Sequence, residues 1–139
     1  MRITARVSNH PSRHEVTLAT DSREQRLAIP PKRAGRGSEV NGGEVMCLAI
    51  ATSFCNVLFR EAAARGVSVD SVEVEVESEF GLAEPARSLK YRVRVSGASD
   101  DATLREIAKR ADTIAEVHNT LRAGIAVELA DVTVSKSMP

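Results

Sequence analysis

The run Val45-Met46-Cys47-Leu48-Ala49-Ile50-Ala51-Thr52-Ser53-Phe54-Cys55-Asn56-Val57-Leu58-Phe59 constrains the fold more than any other part of the chain. Apolar residues around a whole helical circumference leave no face for water, so the run predicts a long, buried central helix. It is shorter than the roughly 20 apolar residues that span a bilayer, and Thr52, Ser53 and Asn56 interrupt it, which argues for a core helix and against a membrane segment. Asn41-Gly42-Gly43-Glu44 precedes it, and Glu44 in the first turn complements the exposed N–H groups and the helix dipole.

A chain of 139 residues is the size of one ordinary domain, and residues 1–139 are read as one. Lys plus Arg number 19 and so do Asp plus Glu, so no net charge draws the protein to nucleic acid or to an anionic membrane. The two cysteines are too few for a disulfide scaffold, and no CxxC or Cys/His cluster has zinc spacing. Neither a metal nor a cofactor is expected. Met1-Arg2-Ile3-Thr4-Ala5-Arg6 carries no apolar stretch of signal-peptide length, and the expected location is the cytoplasm.

Residues 14–20 and 23–29 flank Asp21-Ser22 as the arms of a hairpin, with a first strand near residues 2–8. Residues 30–38, rich in Pro and Gly, predict an irregular, mobile connection. Between 72 and 96 the period-two pattern is clean: Val72-Glu73-Val74-Glu75-Val76-Glu77 and Lys90-Tyr91-Arg92-Val93-Arg94-Val95. A symmetric reversal over 80–87 sets Glu73, Glu75 and Glu77 opposite Arg94, Arg92 and Lys90. The valines and Tyr91 then share the other face, against the central helix. Cross-strand pairing on a solvated face accounts for this carboxylate row without a catalytic role. An amphipathic helix over 102–110, a second over about 112–122 ending near Gly124, and a final strand over 125–134 complete the order. This order is that of an α+β fold, an antiparallel sheet covered by helices.

Glu44-Val45-Met46-Cys47-Leu48-Ala49-Ile50-Ala51-Thr52-Ser53-Phe54 resembles, without a gap, the Glu-Leu-Leu-Leu-Ala-Ala-Leu-Ala-Ser-Cys-Phe pattern of the OsmC/Ohr family. Ala63-Ala64-Arg65-Gly66-Val67-Ser68-Val69 is similar to that family's exit from the helix. Ala115-Glu116-Val117-His118-Asn119-Thr120-Leu121 is similar to its second segment, Cys-Pro-Val-Ser-Asn-Ala-Leu, with Gly124 beyond. The resemblance implies an OsmC-like fold, an intertwined homodimer with both long helices buried, and sites at the dimer interface.

In the family's peroxidase branches one cysteine attacks a hydroperoxide and a second resolves the sulfenic acid as a disulfide. The gapless match puts Ser53 and Ala115 at those positions, and neither can enter the sulfur oxidation ladder. The resemblance carries the family's helix-start Glu onto Gly43 or Glu44 and its N-terminal Arg onto Arg13, while the family's preceding proline is missing. Cys55 lies two residues from the family position, about 200° around a helix. Cys47 and Cys55 are about 12 Å apart along one helix, beyond disulfide reach, and both are expected to be reduced. Free cysteine is also a common core residue. Ser53 lacks a GxSxG elbow, which argues against hydrolysis. Glu116 and Asn119 share a helix face that His118 does not.

Two functional expectations follow. One is a divergent family member without two-cysteine peroxidase activity, binding a small, partly apolar ligand in a dimer cleft with Glu44, Ser53, Asn56, Glu116 and Asn119 as polar lining; Arg60 and His118 are further candidates. The other is a one-cysteine organic hydroperoxide reductase or thiol-dependent enzyme using Cys55, with Glu44 and Arg13 in the site and Arg13 or Arg60 lowering the thiol pKa.

Overall fold

The computed structural model describes residues 1–137. Three strands, β1 (Ile3–His10), β2 (Arg13–Thr20) and β3 (Arg23–Arg26), precede the long helix α1 (Gly42–Ala64). The hairpin β4 (Val69–Phe80) and β5 (Ala86–Gly97) and the helices α2 (Asp101–Ile114) and α3 (Glu116–Ala123) follow. This is the α+β architecture with antiparallel sheets and a long helix that the element order predicts. Chain contacts group into two compact units, one of Met1–Leu48 with Ser78–Ser88, the other of Ala49–Glu77 with the chain from Leu89 onward.

In the first unit β1, β2 and β3 form an antiparallel meander in sequence order, with Val7 opposite Val16 and Leu18 opposite Gln25. Asp21 makes the turn between β2 and β3 at φ 51°, a left-handed conformation that Asp tolerates. Its carboxylate accepts from the Arg2 backbone N–H at 2.8 Å. The strand expected over 23–29 ends at Arg26; one further bond joins Leu27 N–H to the Val16 carbonyl at 3.1 Å before the two prolines stop the ladder. Residues 30–38 are irregular as expected, and they are tied down. Pro31 and Ser38 form an isolated bridge, and the Arg36 guanidinium donates to the Asn9 side-chain oxygen at 3.0 Å. At the start of α1, Asn41 Oδ1 accepts from Glu44 N–H at 2.8 Å while Glu44 Oε1 accepts from Asn41 N–H at 3.2 Å. This reciprocal capping satisfies two backbone donors that the first turn leaves open.

In the second unit Phe54, Val57, Leu58 and Ala62 of α1 form one core with Ile107 and Ala111 of α2 and with Ala115. Val72, Val74, Tyr91, Val93 and Val95 pack on it, which is the face that the period-two reading turns inward. On the other face Arg94 reaches Glu73 at 3.3 Å, Lys90 reaches Glu77 at 3.3 Å, and the Ser71 and Ser96 hydroxyls meet at 2.6 Å. Arg92 departs from the expected pairing: it contacts Glu77 diagonally at 3.2 Å, not Glu75 opposite it. Asp100 caps α2 by accepting from Thr103 N–H at 2.8 Å, and Gly124 ends α3 at φ 64°.

Two expectations need correction. The helix α1 is buried on one face only: Ile50, Phe54, Val57, Leu58 and Ala62 are covered, whereas Val45, Leu48 and Phe59 on the opposite face are 38%, 54% and 41% exposed. Residues 125–134 form no strand. Their alternation is strand-like, but a strand needs a ladder partner, and here Val127, Leu129 and Val134 are 99%, 81% and 86% exposed. Among the described residues α1 is the one helix long and apolar enough, by length and composition, to cross a membrane.

Candidate functional site

Polar chemistry in the second unit concentrates where α3 meets β5 and the inner face of α1. The α2 helix stops at Ala115, whose ψ of 118° is extended, and α3 restarts at the next residue. Past that break the helix leaves Glu116 exposed and turns His118 inward. His118, two residues into the new helix, is the one buried polar side chain among the described residues, 5% exposed. Its ring stands edge-on to Tyr91, with centroids 4.9 Å apart at 83°, and tilted against Phe54 at 6.2 Å. Phe54 and Tyr91 lie 5.3 Å apart and complete an aromatic triangle. Neither His118 nitrogen has a hydrogen-bond partner.

The Tyr91 hydroxyl leaves this triangle toward α2 and donates to Asp112 Oδ1. Arg122 closes the network from α3: Nη2 donates to Asp112 Oδ1 at 2.8 Å, and Nη1 donates to the Asp112 carbonyl at 2.9 Å and to Asn119 Oδ1 at 3.1 Å. Burial, and then the Asp112 carboxylate, push the Tyr91 phenol far above its ordinary value, so it stays protonated. Burial alone would raise the Asp112 carboxyl, but the Tyr91 and Arg122 hydrogen bonds and the Arg122 charge outweigh it and hold the group below its ordinary value. Burial lowers the His118 imidazole, Arg122 lowers it further, and Asp112 offsets part of this. At neutral pH His118 is therefore uncharged, with one N–H donor and one acceptor.

A cleft of about 250 Å³ opens beside this network. Ile50, Val76, Leu89 and Leu121 give it apolar walls, and Lys90, Tyr91, His118 and Arg122 give it polar ones. It has the composition of a small-molecule site, mostly apolar with a few convergent polar groups. Among the described residues no group of three His, Cys, Asp or Glu side chains could hold a metal ion.

Of the residues singled out from sequence, Glu44 and Arg13 belong to the first unit. Glu44 is engaged in the helix cap, and Arg13 is a solvated side chain 3.4 Å from Glu15. The remaining seven belong to the second. Arg60 and Glu116 meet in a 2.7 Å ion pair, so the Arg60 charge is spent on a carboxylate. Asn119 donates to the Thr113 carbonyl at 3.0 Å and accepts from Arg122. Ser53 and Cys55 are half-buried, Asn56 is exposed, and both cysteines are free. His118 points away from the Glu116 and Asn119 face as the helical spacing requires, and that direction is into the core.

Sequence reasoning placed Tyr91 on the inner strand face but gave it no polar role, and it passed over Asp112 and Arg122 altogether. One signal was available: Tyr91 is the only tyrosine of the chain, on a strand face otherwise of valine, and a buried phenol needs a partner. That the partner is Asp112 depends on the α2–β5 packing, which no local pattern encodes.

The family model described as OsmC-like protein matches residues 35–130, more than half of the chain. Among solved structures, an OsmC-like protein from Mycoplasma pneumoniae superposes with a TM-score of 0.62 at 16% identity, covering 88% of this chain and 87% of that one. A structure from Legionella pneumophila, described as an organic hydroperoxide resistance protein OsmC and predicted redox protein, gives 0.52 at 19% identity, covering 86% and 89%. A protein from Psychrobacter arcticus, described as a putative osmotic stress induced and detoxification response protein, gives 0.57 at 14% identity, covering 84% and 86%. No curated protein matches the chain at a significant level.

Proposed function

The chain belongs to the OsmC-like protein family, and from that premise we propose that it is a divergent member that binds a small ligand as a homodimer and does not run a two-thiol peroxidase cycle. The reading rests on the sequence resemblance, which sets Ser53 and Ala115 where the family's peroxidase branches carry their two thiols. Ser53 is a half-buried hydroxyl, and Ala115 is a fully buried methyl group at the α2–α3 break. Neither supplies a thiolate or a resolving sulfur. The cleft beside Tyr91 and His118 offers what a binding protein uses in place of a nucleophile: apolar walls and a few fixed polar groups.

Two features support self-association. The exposed Val45, Leu48 and Phe59 recur at helical spacing, so α1 carries a second apolar face opposite its buried one. Residues 125–134 present alternating, exposed apolar side chains on backbone without a ladder. A second copy covers both kinds of surface. Under this reading Glu44, Ser53, Asn56, Glu116 and Asn119 are polar lining where two copies meet. The setting is cytoplasmic, where the two free cysteines stay reduced.

A one-cysteine alternative rests on Cys55 being half-buried and so within reach of a small peroxide. Its thiolate would attack the peroxide oxygen, giving a sulfenic acid and an alcohol, and two equivalents of an external thiol would restore the thiol with release of water. The experiment that decides is peroxide consumption. Reduced protein is given cumene hydroperoxide or hydrogen peroxide with dithiothreitol, beside a Cys55→Ser variant. No turnover, with Cys55 unmodified by mass spectrometry, is the expected result. Rapid turnover abolished in the variant would overturn the proposal in favour of the one-cysteine enzyme.

A further inference from the structure

Resting on the ligand-binding reading above, we propose that the cleft between β5 and α3 is a site for a small uncharged alcohol with an apolar body, its hydroxyl bonded to the His118 imidazole. The first argument is charge. Both cations that border the cleft are engaged elsewhere. The Lys90 side chain lies on the solvent face of β5, 3.3 Å from Glu77 and opposite the face on which Tyr91 packs inward. Arg122 is committed to Asp112 and Asn119, and its charge is balanced by the Asp112 carboxylate at 2.8 Å. No carboxylate lines the cleft. An ion entering it would give up water and find no free counter-charge, a cost that a neutral molecule does not meet.

The second argument is the unpartnered imidazole. His118 is 5% exposed, borders the cleft, and has neither nitrogen paired. Both nitrogens are closed off from solvent as the ring stands. No hydrogen bond holds the ring in that orientation, and a half-turn about Cβ–Cγ exchanges each nitrogen with a ring carbon in nearly the same volume. A buried polar group without a partner is costly, and a ligand that pairs one nitrogen removes part of that cost on binding. The neutral ring has one donor and one acceptor, and a hydroxyl can meet either of them. The Tyr91 hydroxyl does not compete, because it donates to Asp112. The third argument is size and polarity. The remaining walls, Ile50, Val76, Leu89 and Leu121, are aliphatic, and the volume of about 250 Å³ lies at the small end for ligand sites. A short alkyl or single-ring body with one polar group suits such walls.

The test is titration of the full-length protein with cyclohexanol, and with cyclohexanecarboxylate and cyclohexylammonium as charged analogues on the same ring, followed by NMR that includes the His118 ring nitrogens. Cyclohexanol is expected to saturate one site per chain, to shift the His118 nitrogen resonances, and to bind at least about fivefold more tightly than either ion. His118→Phe keeps the ring volume, removes the hydrogen bond, and is expected to weaken cyclohexanol at least about fivefold. Leu121→Trp, at an exposed wall position, fills the cleft and is expected to abolish saturable binding. Should His118→Phe fail to fold, the wild-type His118 resonances and Leu121→Trp decide. No saturable binding, an ion bound as tightly as the alcohol, unmoved His118 resonances, or full affinity in either variant would each overturn the alcohol site. Peroxide consumption measured on the same preparation separates this outcome from the earlier reading. Turnover with intact cyclohexanol binding removes only the redox-silent assignment, and silence without cyclohexanol binding removes only the alcohol site.

Discussion

His118 shows most clearly how a single side chain here is held at a cost. Its two unpartnered nitrogens are buried among Phe54 and Tyr91, and a buried unsatisfied group costs about 1–3 kcal/mol. His118→Phe is therefore expected to stabilise the free protein by roughly 1–2 kcal/mol at pH 7, read from urea unfolding. The same site sets a pH dependence. The unfolded chain protonates this imidazole near 6.5, while burial and Arg122 keep the folded ring neutral to lower pH, with Asp112 opposing. Between those two values the unfolded state holds more protons, so stability falls as pH drops below about 6.5 and levels off beneath the folded value. In His118→Phe this slope should flatten. Tyr91 behaves oppositely. Its folded pKa is raised, so its contribution is complete below 10 and is lost as pH rises above it. Because the chain has one tyrosine and no tryptophan, absorbance near 295 nm follows Tyr91 alone. The phenol should ionise only as the protein unfolds in alkali. A normal titration near 10 in folded protein would show that the Asp112 contact is not made.

At the scale of elements, what could be read in advance was what local pattern controls. The period-two alternation of 72–77 and 90–95 placed the valines inward and the charges outward, because a strand has only two faces and one of them is apolar. The amphipathic spacing gave α2, and Gly124 gave the end of α3. Two helices were expected to part near residue 111, whereas the break falls at Ala115, where no Gly or Pro marks it and where Ala111 and Ala115 pack into the core. Residues 125–134 were misread for a related reason: alternation expresses a preference for a ladder but cannot provide a partner. Two substitutions probe the elements. Asp100→Ala removes the side chain that accepts from Thr103 and should cost about 1 kcal/mol. Gly97→Ala should cost more, because a Cβ there would lie 2.7 Å from the Ser68 carbonyl oxygen and force β5 away from backbone. Thermal unfolding of both variants orders the two effects. Equal melting temperatures would show that β5 shifts freely at Gly97.

For the molecule as a whole, the exposed apolar surface is the feature that a single chain leaves unexplained. The α1 helix buries Ile50, Phe54, Val57, Leu58 and Ala62 and presents Val45, Leu48 and Phe59 on its other side. Isolated exposed apolar residues are ordinary, but a row of them at helical spacing on the most apolar helix is the pattern of an interface. The sequence expectation of an all-round apolar helix is met if a second copy supplies the missing cover, since burial of each such side chain is worth about 1.5–3 kcal/mol relative to water. Sedimentation equilibrium at micromolar concentration should therefore give twice the mass of the 15.0 kDa chain. Leu48→Glu, which sets a charge on the exposed face without touching the buried one, should shift the protein to monomer while keeping its helical signal. A wild-type protein that sediments as a monomer, or a Leu48→Glu variant that stays dimeric, would place the association surface away from α1. Were the dimer to persist, truncation of the chain after Gly124 would ask whether the exposed alternating segment holds it together instead.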